Sequence, residues 1–124
     1  MENRIIIIAN LELIGGNVSA LQEVVQDLQA HCLKTEKGML QYDWYVAEDK
    51  KAIKVLETYT DSEAVLFHFD NCKPFFSRLG EVRTFVGLEI YGDASAELRA
   101  RVKKINGQHF KVVSYLNKLV SATS

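Results

Sequence analysis

The stretch VLETYTDSEAVLFHFDN, residues 55–71, passes from a strand to a helix at one corner of the fold. Its first part alternates apolar and polar side chains, which is typical of a half-buried strand, and its second part spaces apolar residues as a helix does. Three side chains with possible chemistry, Glu57, Tyr59 and His68, therefore lie on two adjoining elements. No other stretch of the sequence concentrates reactive groups so densely.

The residues before this corner predict a strand, a helix and a two-stranded hairpin. Ile5–Leu13 is apolar on both faces at its start, as a central strand is. The helix that follows begins with a cap at Asn17 or at Ser19 and repeats apolar residues at helical spacing. Residues 39–47 and 53–59 then predict antiparallel strands joined by a polar turn. One face of the first of these strands carries Leu40, Tyr42, Trp44 and Val46.

The residues after the strand at 53–59 predict a second helix, a fourth strand and a short C-terminal pair of elements. Thr60 stands at the N-cap position of the helix, with Glu63 closing a capping box. A helical turn begins at Pro74, a strand covers 81–91, a helix opens at Ser95, and a last strand covers 110–116. Strand alternation places Val82, Val86, Leu88 and Ile90 inward. The opposite face then carries Arg83, Phe85, Glu89 and Tyr91.

This order of elements predicts an α+β fold of the ferredoxin-like βαββαβ type, with an additional C-terminal helix and strand. We expect a single domain over residues 1–124, with a core at 5–92 and an extension at 93–124. Helices on one face of the sheet leave the aromatic residues of the other face uncovered. A second copy of the chain is the simplest cover, so the sequence predicts a homodimer.

Composition and charge narrow the function classes. The 124 residues carry 15 basic and 16 acidic side chains, so there is no electrostatic footprint for nucleic acid. No apolar run reaches the roughly 20 residues that a membrane span needs, and the N-terminal isoleucine run is too short for a signal peptide. Cys32 and Cys72 are too far apart in sequence for a metal motif or a disulfide framework, and we expect buried thiols and no metal. A reducing, cytoplasmic location follows.

His68 and Glu57 each allow a functional and a structural interpretation. A histidine needs only a small environmental shift to act as a base at neutral pH. It could equally be a packed helical residue hydrogen-bonded to Glu57. A carboxylate among apolar neighbours must be paired, or its pKa rises. Both interpretations stay open at this point.

Other polar and aromatic residues predict the walls of a small-molecule site. Tyr42, Trp44 and Tyr59 on adjacent strands form either core or a wall for a flat substrate. Asn10 shares a strand face with apolar residues, as in a cavity wall, and is the polar group that we most expect to contact a ligand. Arg83 is predicted to pair with Glu89 across strands, with little energetic effect.

The segment GMLQYDWY…KVLETYTDSEAVLFH, within residues 38–68, resembles the antibiotic biosynthesis monooxygenase superfamily of small dimeric α/β-barrel proteins. The family pairs a Gly-x-x-x-Tyr strand, here Gly38 and Tyr42, with a strand that reads Glu-x-Tyr or Glu-x-Trp, here Glu57 and Tyr59. A polar cap and a helical histidine, here His68, complete the pattern. By the order of its elements, the resemblance extends over residues 5 to about 92.

The resemblance implies a homodimer whose subunits each hold a substrate pocket between sheet and helices. It further implies oxygenation of quinols or polycyclic phenols without metal or flavin, hence no cofactor. His68 would be the catalytic residue, as general base or anion stabiliser. The implied substrate-binding residues are Asn10, Tyr42, Trp44, Glu57 and Tyr59. The haem-degrading branch is disfavoured: Asn10 matches it, but Tyr59 replaces a tryptophan and no haem-ligating histidine lies near Phe75.

Two functions from different classes fit these observations. The first is a cofactor-independent monooxygenase that acts on an aromatic or quinol-like small molecule. The second is a non-catalytic ligand-binding or stress-associated dimer that uses the same pocket without turnover. A deep open cavity lined by both Asn10 and His68 would favour the enzyme, whereas a pocket filled by the protein's own Phe and Tyr side chains would favour the second.

Overall fold

The computed structural model describes residues 3–117 and contains a five-stranded sheet in the order β2-β3-β1-β4-β5. All neighbouring strands are antiparallel except β4 and β5, which are parallel. The elements are β1 Ile5–Leu13, α1 Val18–Thr35, β2 Met39–Val46, β3 Ala52–Tyr59, α2 Ser62–Asn71, a 3₁₀ turn Lys73–Phe75, α3 Phe76–Val82, β4 Arg83–Tyr91, α4 Ala96–Lys103 and β5 Gly107–Phe110. This order confirms the predicted ferredoxin-like arrangement with a C-terminal helix and strand.

The helices cover one face of the sheet, which we call the inner face. In the central strand β1 every second residue from Ile5 to Leu13 is buried, while the residues between them are half-buried or exposed. The core of α1 consists of Leu21, Val24, Val25, Leu28 and Cys32, at the predicted helical spacing. Burial of these apolar side chains between helices and sheet is the main source of stability.

Both long helices begin at side-chain caps. Of the two candidates for α1, Asn17 is the cap, because its Oδ1 accepts a hydrogen bond from the Ala20 amide at 3.0 Å. For α2 the predicted cap at Thr60 is wrong by one residue. Asp61 is the cap and accepts from the Ala64 amide at 2.9 Å. An aspartate also places negative charge at the positive end of the helix dipole.

A β-bulge in β4 changes which side chains face the helices. The register against β1 shifts between Gly87 and Phe85, so Val86 is an extra residue with no partner on β1. After such an insertion the alternation reverses. The inner face of β4 therefore carries Arg83, Phe85, Leu88 and Ile90, and the predicted inward position of Val86 is wrong: its side chain is exposed. Because the alternation reverses at the bulge, Arg83 and Glu89 lie on opposite faces of β4, and the predicted pairing between them does not form.

Three further boundaries differ from the sequence prediction. A second bulge, between Met39 and Gln41 of β2, leaves Leu40 exposed rather than on the inner face. β4 begins two residues later than predicted, because α3 continues through Val82. The last strand lies at Gly107–Phe110, not at 110–116. Residues 118–124 of the predicted extension lie outside the described part of the chain. No helix within residues 3–117 combines the length and apolar composition that crossing a membrane would require.

We predict that Gly38→Ala destabilises the fold whereas Gly80→Ala does not. A Cβ on Gly38 would lie 2.5 Å from the Ala64 Cβ and 2.8 Å from the Thr60 Oγ1, so β2 and the start of α2 would have to separate. Overpacking of this kind costs about 1–3 kcal/mol. Gly80 in α3 has no atom within 4 Å of such a Cβ. There, alanine should add about 0.5–1 kcal/mol of helix propensity.

Urea unfolding of the two variants and the wild type measures both effects. Equal midpoints for Gly38→Ala and the wild type would contradict the close approach of β2 to α2.

Candidate functional site

A cavity of about 490 Å³ lies between the inner face of the sheet and helices α2, α3 and α4. We call it the main cavity. Most of its wall is apolar, including Leu11, Val55, Phe69, Phe76, Phe85 and Leu88. Its polar and charged lining residues are Glu57, His68, Lys73, Arg83 and Arg101. A mostly apolar cavity of this size with a few polar groups is the usual form of a small-molecule site.

The structure brings five of the six predicted site residues together and separates one. Tyr42, Trp44, Glu57 and His68 line the main cavity. Tyr59 is fully buried behind them, with its ring centroid 5.4 Å from that of His68. These residues meet because cross-strand partners in β2 and β3 point to the same face.

Asn10 lies on the opposite face of the sheet, away from the main cavity. It is paired with Lys54 on β3, whose Nζ donates a hydrogen bond to the Asn10 Oδ1. The alternation of β1 makes this unavoidable, since Ala9 and Leu11 on either side of Asn10 line the cavity. Asn10 was predicted to lie with the cavity residues, and the geometry does not support that prediction.

Glu57 is held by two groups at the base of the main cavity. The Tyr59 hydroxyl donates a 2.5 Å hydrogen bond to Glu57 Oε1, and His68 Nε2 is 3.7 Å from the same oxygen. Burial raises the pKa of Glu57, and the charge of His68 together with the Tyr59 hydrogen bond offsets this only in part. Burial also raises the pKa of Tyr59, and the negative charge of Glu57 raises it further.

The other ring nitrogen of His68 faces a second carboxylate, Glu36, which the sequence analysis did not identify. His68 Nδ1 is 2.9 Å from Glu36 Oε2, and the Glu36 side chain is only 2% exposed. Burial disfavours the charged form of His68, but hydrogen bonds with Cys32 and Glu36 and the charge of Glu57 outweigh it and raise its pKa to about 10. His68 is therefore charged at neutral pH, which favours anion stabilisation over general-base action.

Glu36 was missed because nothing local in the sequence marks it. It is the C-terminal cap residue of α1, 32 positions before His68. Its pKa is lowered: burial alone would raise it, but hydrogen bonds from His68 and Asn71 prevail. The Asn71 Nδ2 donates to Glu36 Oε2 at 3.0 Å. Only the packing of α1 against α2 brings these groups together.

Arg83 is a functional candidate whose predicted position, on the same face as Glu89, is wrong. The bulge turns it into the main cavity, where its guanidinium has no hydrogen bond or ion pair within residues 3–117. Burial lowers its pKa. The Trp44 indole Nε1 is likewise buried without a partner in the described chain. The other two cavity cations, Lys73 and Arg101, share Asp70 at 3.1 and 3.3 Å.

We predict that Tyr59→Phe destabilises the protein by about 1–3 kcal/mol, because Glu57 would lose a hydrogen-bond donor inside the core. Tyr91→Phe is a matched control. The Tyr91 hydroxyl also donates to a glutamate two residues earlier, Glu89, at 2.7 Å, but this pair is partly exposed. Its removal should change the free energy of unfolding by less than about 0.5 kcal/mol. Similar losses in the two variants, measured by chemical denaturation, would argue against a buried Glu57 that depends on Tyr59.

Solved structures that resemble this chain share its fold. MupZ from Pseudomonas fluorescens superposes with a TM-score of 0.83 at 18% identity, over 94% of this chain and 90% of that one. SnoaB, a cofactor-independent oxygenase from Streptomyces nogalater, has a TM-score of 0.64 at 11% identity and covers 76% and 96%. A conserved protein from Methanosarcina mazei has a TM-score of 0.64 at 21% identity and covers 74% and 94%.

These matches differ in how much of the chain they cover. Residues 93–124 are about a quarter of the chain. The SnoaB and Methanosarcina matches leave a segment of that size uncovered, whereas a match over 94%, as with MupZ, must include much of it.

Sequence comparison defines the family. No curated protein sequence matches this chain. The profile of the antibiotic biosynthesis monooxygenase family, however, matches residues 4–73, more than half of the chain and the whole of the strand–helix corner. The chain therefore belongs to the antibiotic biosynthesis monooxygenase family, as the resemblance within residues 38–68 predicted.

Proposed function

We propose that this protein is a monooxygenase that uses O₂ to oxidise a phenolic or quinol-like aromatic molecule bound in the main cavity, without a cofactor. The observation that carries the proposal is Arg83, an unpaired cation in the wall of a mostly apolar cavity. The Arg83 side chain is half-buried and its Nε is buried without a partner in the described chain. Leaving such a polar group unpaired is costly, so it indicates a ligand of opposite charge. An anionic aromatic oxygen is the partner that fits both the guanidinium and the apolar wall.

The cavity residues have complementary roles in this reaction. Trp44, Phe76 and Phe85 enclose the ring, and Arg83 holds the oxygen that becomes negative. Glu57, the nearest carboxylate in the cavity wall, accepts the phenolic proton, and its raised pKa suits that task. The charged His68 stabilises the resulting anionic site. The resemblance implied that His68 is either a general base or an anion stabiliser. Because His68 is charged, we assign it the role of anion stabiliser.

The oxidation balances without an external reductant. A naphthol loses its phenolic proton and the hydrogen of one ring carbon, and that carbon gains an oxygen atom to become a quinone carbonyl. The second oxygen atom of O₂ leaves as water with the two hydrogens. All four electrons that reduce O₂ come from the substrate, so one O₂ is consumed per naphthol. SnoaB, which shares the fold, is a cofactor-independent oxygenase.

Oxygen uptake with naphthols and hydroquinones tests the proposal. We expect uptake above the buffer blank by the wild type, and a loss of about 100- to 1,000-fold in kcat/KM for Arg83→Met, as for removal of one anion-stabilising donor. Arg78→Met is the matched control, because Arg78 pairs with Asp27 at the surface, 2.8 Å away. No uptake with any member of the panel, or equal rates for Arg83→Met and the wild type, would contradict the proposal.

The non-catalytic alternative is favoured by two observations. Both ring nitrogens of His68 face carboxylates, and Asn10 does not line the main cavity. Under this alternative the same aromatic molecules bind in the main cavity without turnover. Calorimetric binding of a naphthol, without oxygen uptake and with loss of binding in Arg83→Met, is its expected result.

A homodimer is also part of the proposal. The face of the sheet opposite the helices carries half-buried Ile6, Ile8 and Leu56 and exposed Tyr45 and Val86. An apolar surface of this kind marks an interaction site. The two buried free thiols in turn support a reducing, cytoplasmic setting.

We predict that Ile8→Lys yields a monomer by light scattering at micromolar concentration, because it places a charge in the middle of that face. Leu33→Lys is the control: Leu33 lies on α1 and is 87% exposed, so its variant should keep the wild-type mass. A wild type that elutes as a monomer would refute the dimer.

A further inference from the structure

Four side chains with metal-binding donors converge behind the wall of the main cavity. They are Cys32, Glu36, His68 and Cys72, which we call the C-terminal cluster, because they lie at the C-terminal ends of α1 and α2. Each helix contributes two residues four positions apart, which places both on one helix face. Cys32 and Cys72 are 40 positions apart in sequence, so only the packing of the two helices makes them neighbours.

The donor atoms of the C-terminal cluster are close to the separations found in a tetrahedral coordination sphere. All four lie within 4.8 Å of one another. His68 Nδ1 is 2.9 Å from Glu36 Oε2, 3.5 Å from Cys72 Sγ and 4.0 Å from Cys32 Sγ. In a tetrahedral zinc site with Zn–S of about 2.3 Å and Zn–N of about 2.0 Å, neighbouring donors are roughly 3.3–3.8 Å apart. Small rotamer adjustments would bring the four donors to these separations.

The surroundings of the C-terminal cluster are negative. Two helices point their C-terminal ends, which carry partial negative charge, at the same place. Glu36 is itself the C-terminal cap residue of α1, and Cys72 that of α2. The second carboxylate, Glu57, is 3.7 Å from the far side of His68. A divalent cation between the helix ends would offset this concentration of negative charge.

Side chains that would orient the metal ligands by hydrogen bonds are already in place. A metal-binding histidine usually donates its other ring N–H to a carboxylate, and His68 presents Nε2 to Glu57. The Glu57 carboxylate is fixed in turn by Tyr59. On the other side, the Asn71 amide donates to Glu36 Oε2 at 3.0 Å. Hydrogen bonds of this kind orient ligands before the metal arrives.

A route for the ion exists on the side away from the main cavity. A smaller cavity of about 230 Å³ is lined by both Cys32 and Glu36. Cys72 and His68 line the main cavity instead. The C-terminal cluster thus forms part of the partition between the two cavities.

We propose that Cys32, Glu36, His68 and Cys72 bind one Zn²⁺ or a similar thiolate-preferring divalent cation. Two thiolates, one imidazole and one carboxylate are a donor set that zinc takes in closed tetrahedral sites. With all four positions supplied by the protein, the ion is structural and joins the ends of α1 and α2 behind the site. Zn²⁺ would replace the proton on His68 Nδ1, so the positive charge behind the cavity would come from the ion instead of the imidazolium, and the Nε2–H would stay directed at Glu57. This inference goes beyond the proposed oxygen chemistry and departs from the expectation, drawn from sequence spacing, that no metal binds.

The test uses the full chain, stripped of metal by a chelator and kept reduced by a phosphine, and titrates it with Zn²⁺ against a chromophoric competitor. We expect one Zn²⁺ per chain. Co²⁺ in its place should give the intense visible bands of tetrahedral cobalt together with a thiolate charge-transfer band. Zn²⁺ should also protect both cysteines from alkylation and raise the melting temperature. None of these readouts depends on turnover.

Variants separate this site from adventitious binding. Cys72→Ser and Glu36→Gln should each weaken Zn²⁺ binding by at least about 100-fold. His109→Gln and Glu89→Gln are matched controls, because both residues lie on the β4–β5 side of the sheet. A cobalt spectrum without a thiolate band, or equal Zn²⁺ affinity in the wild type and Cys72→Ser, would overturn the proposal. Should Cys72→Ser fail to fold, the spectrum of the wild type decides.

Discussion

The imidazole of His68 lies between two buried carboxylates, and much of the structure around the site depends on that arrangement. Glu36 approaches it from α1 and Glu57 from β3, so one side chain on α2 connects two elements of the helical layer with the sheet. Removing one member of such a set leaves an uncompensated buried charge, which typically costs about 3–5 kcal/mol. The rings of Tyr42 and Tyr59 pack against the same imidazole, with centroids at 4.8 and 5.4 Å. The position of α2 is therefore fixed by charge as well as by apolar packing.

The bulge at Val86 is the second constraint, and it determines the chemistry of the main cavity. Without the extra residue, Arg83 and Phe85 would face away from the helices, and Thr84 and Val86 would line the cavity instead. With it, a cation and an aromatic ring enter the site. The loop after α4 maintains the bulge: the Asn106 amide donates to the Val86 carbonyl at 2.8 Å, and its backbone leaves no room for a side chain on Gly87. The C-terminal extension thus supports a feature of the main cavity.

The parts of this account that could be predicted from the sequence rest on regular patterns. Alternation and helical spacing identified the elements and the ferredoxin-like order, and the motif within residues 38–68 identified the family. Alternation also grouped Tyr42, Trp44, Glu57 and Tyr59, because they share one face of one hairpin. It failed at the bulges in β2 and β4, where one extra residue reverses every later side chain. Alternation also led to the wrong face for Asn10. It predicts which residues share a face of the sheet, but it does not predict which face the helices cover.

The C-terminal cluster could not be predicted for a different reason. Glu36 and Cys32 belong to one helix, His68 and Cys72 to another, and the spacing within each pair is too common to signal a site. Only the approach of the C-terminal ends of α1 and α2 makes the four side chains neighbours. Long-range packing of this kind leaves no local trace in a single sequence, whereas helix caps and strand alternation do.

A crystal structure of the protein with a naphthoquinone, the product of the proposed oxidation, tests the central claim most directly. The account predicts the ring inside the main cavity, beside Trp44 and Phe85, with a quinone oxygen within hydrogen-bond distance of the Arg83 guanidinium. A quinone bound on the opposite face of the sheet, near Asn10 and Lys54, would contradict it. So would a structure in which Arg83 turns away from the ligand.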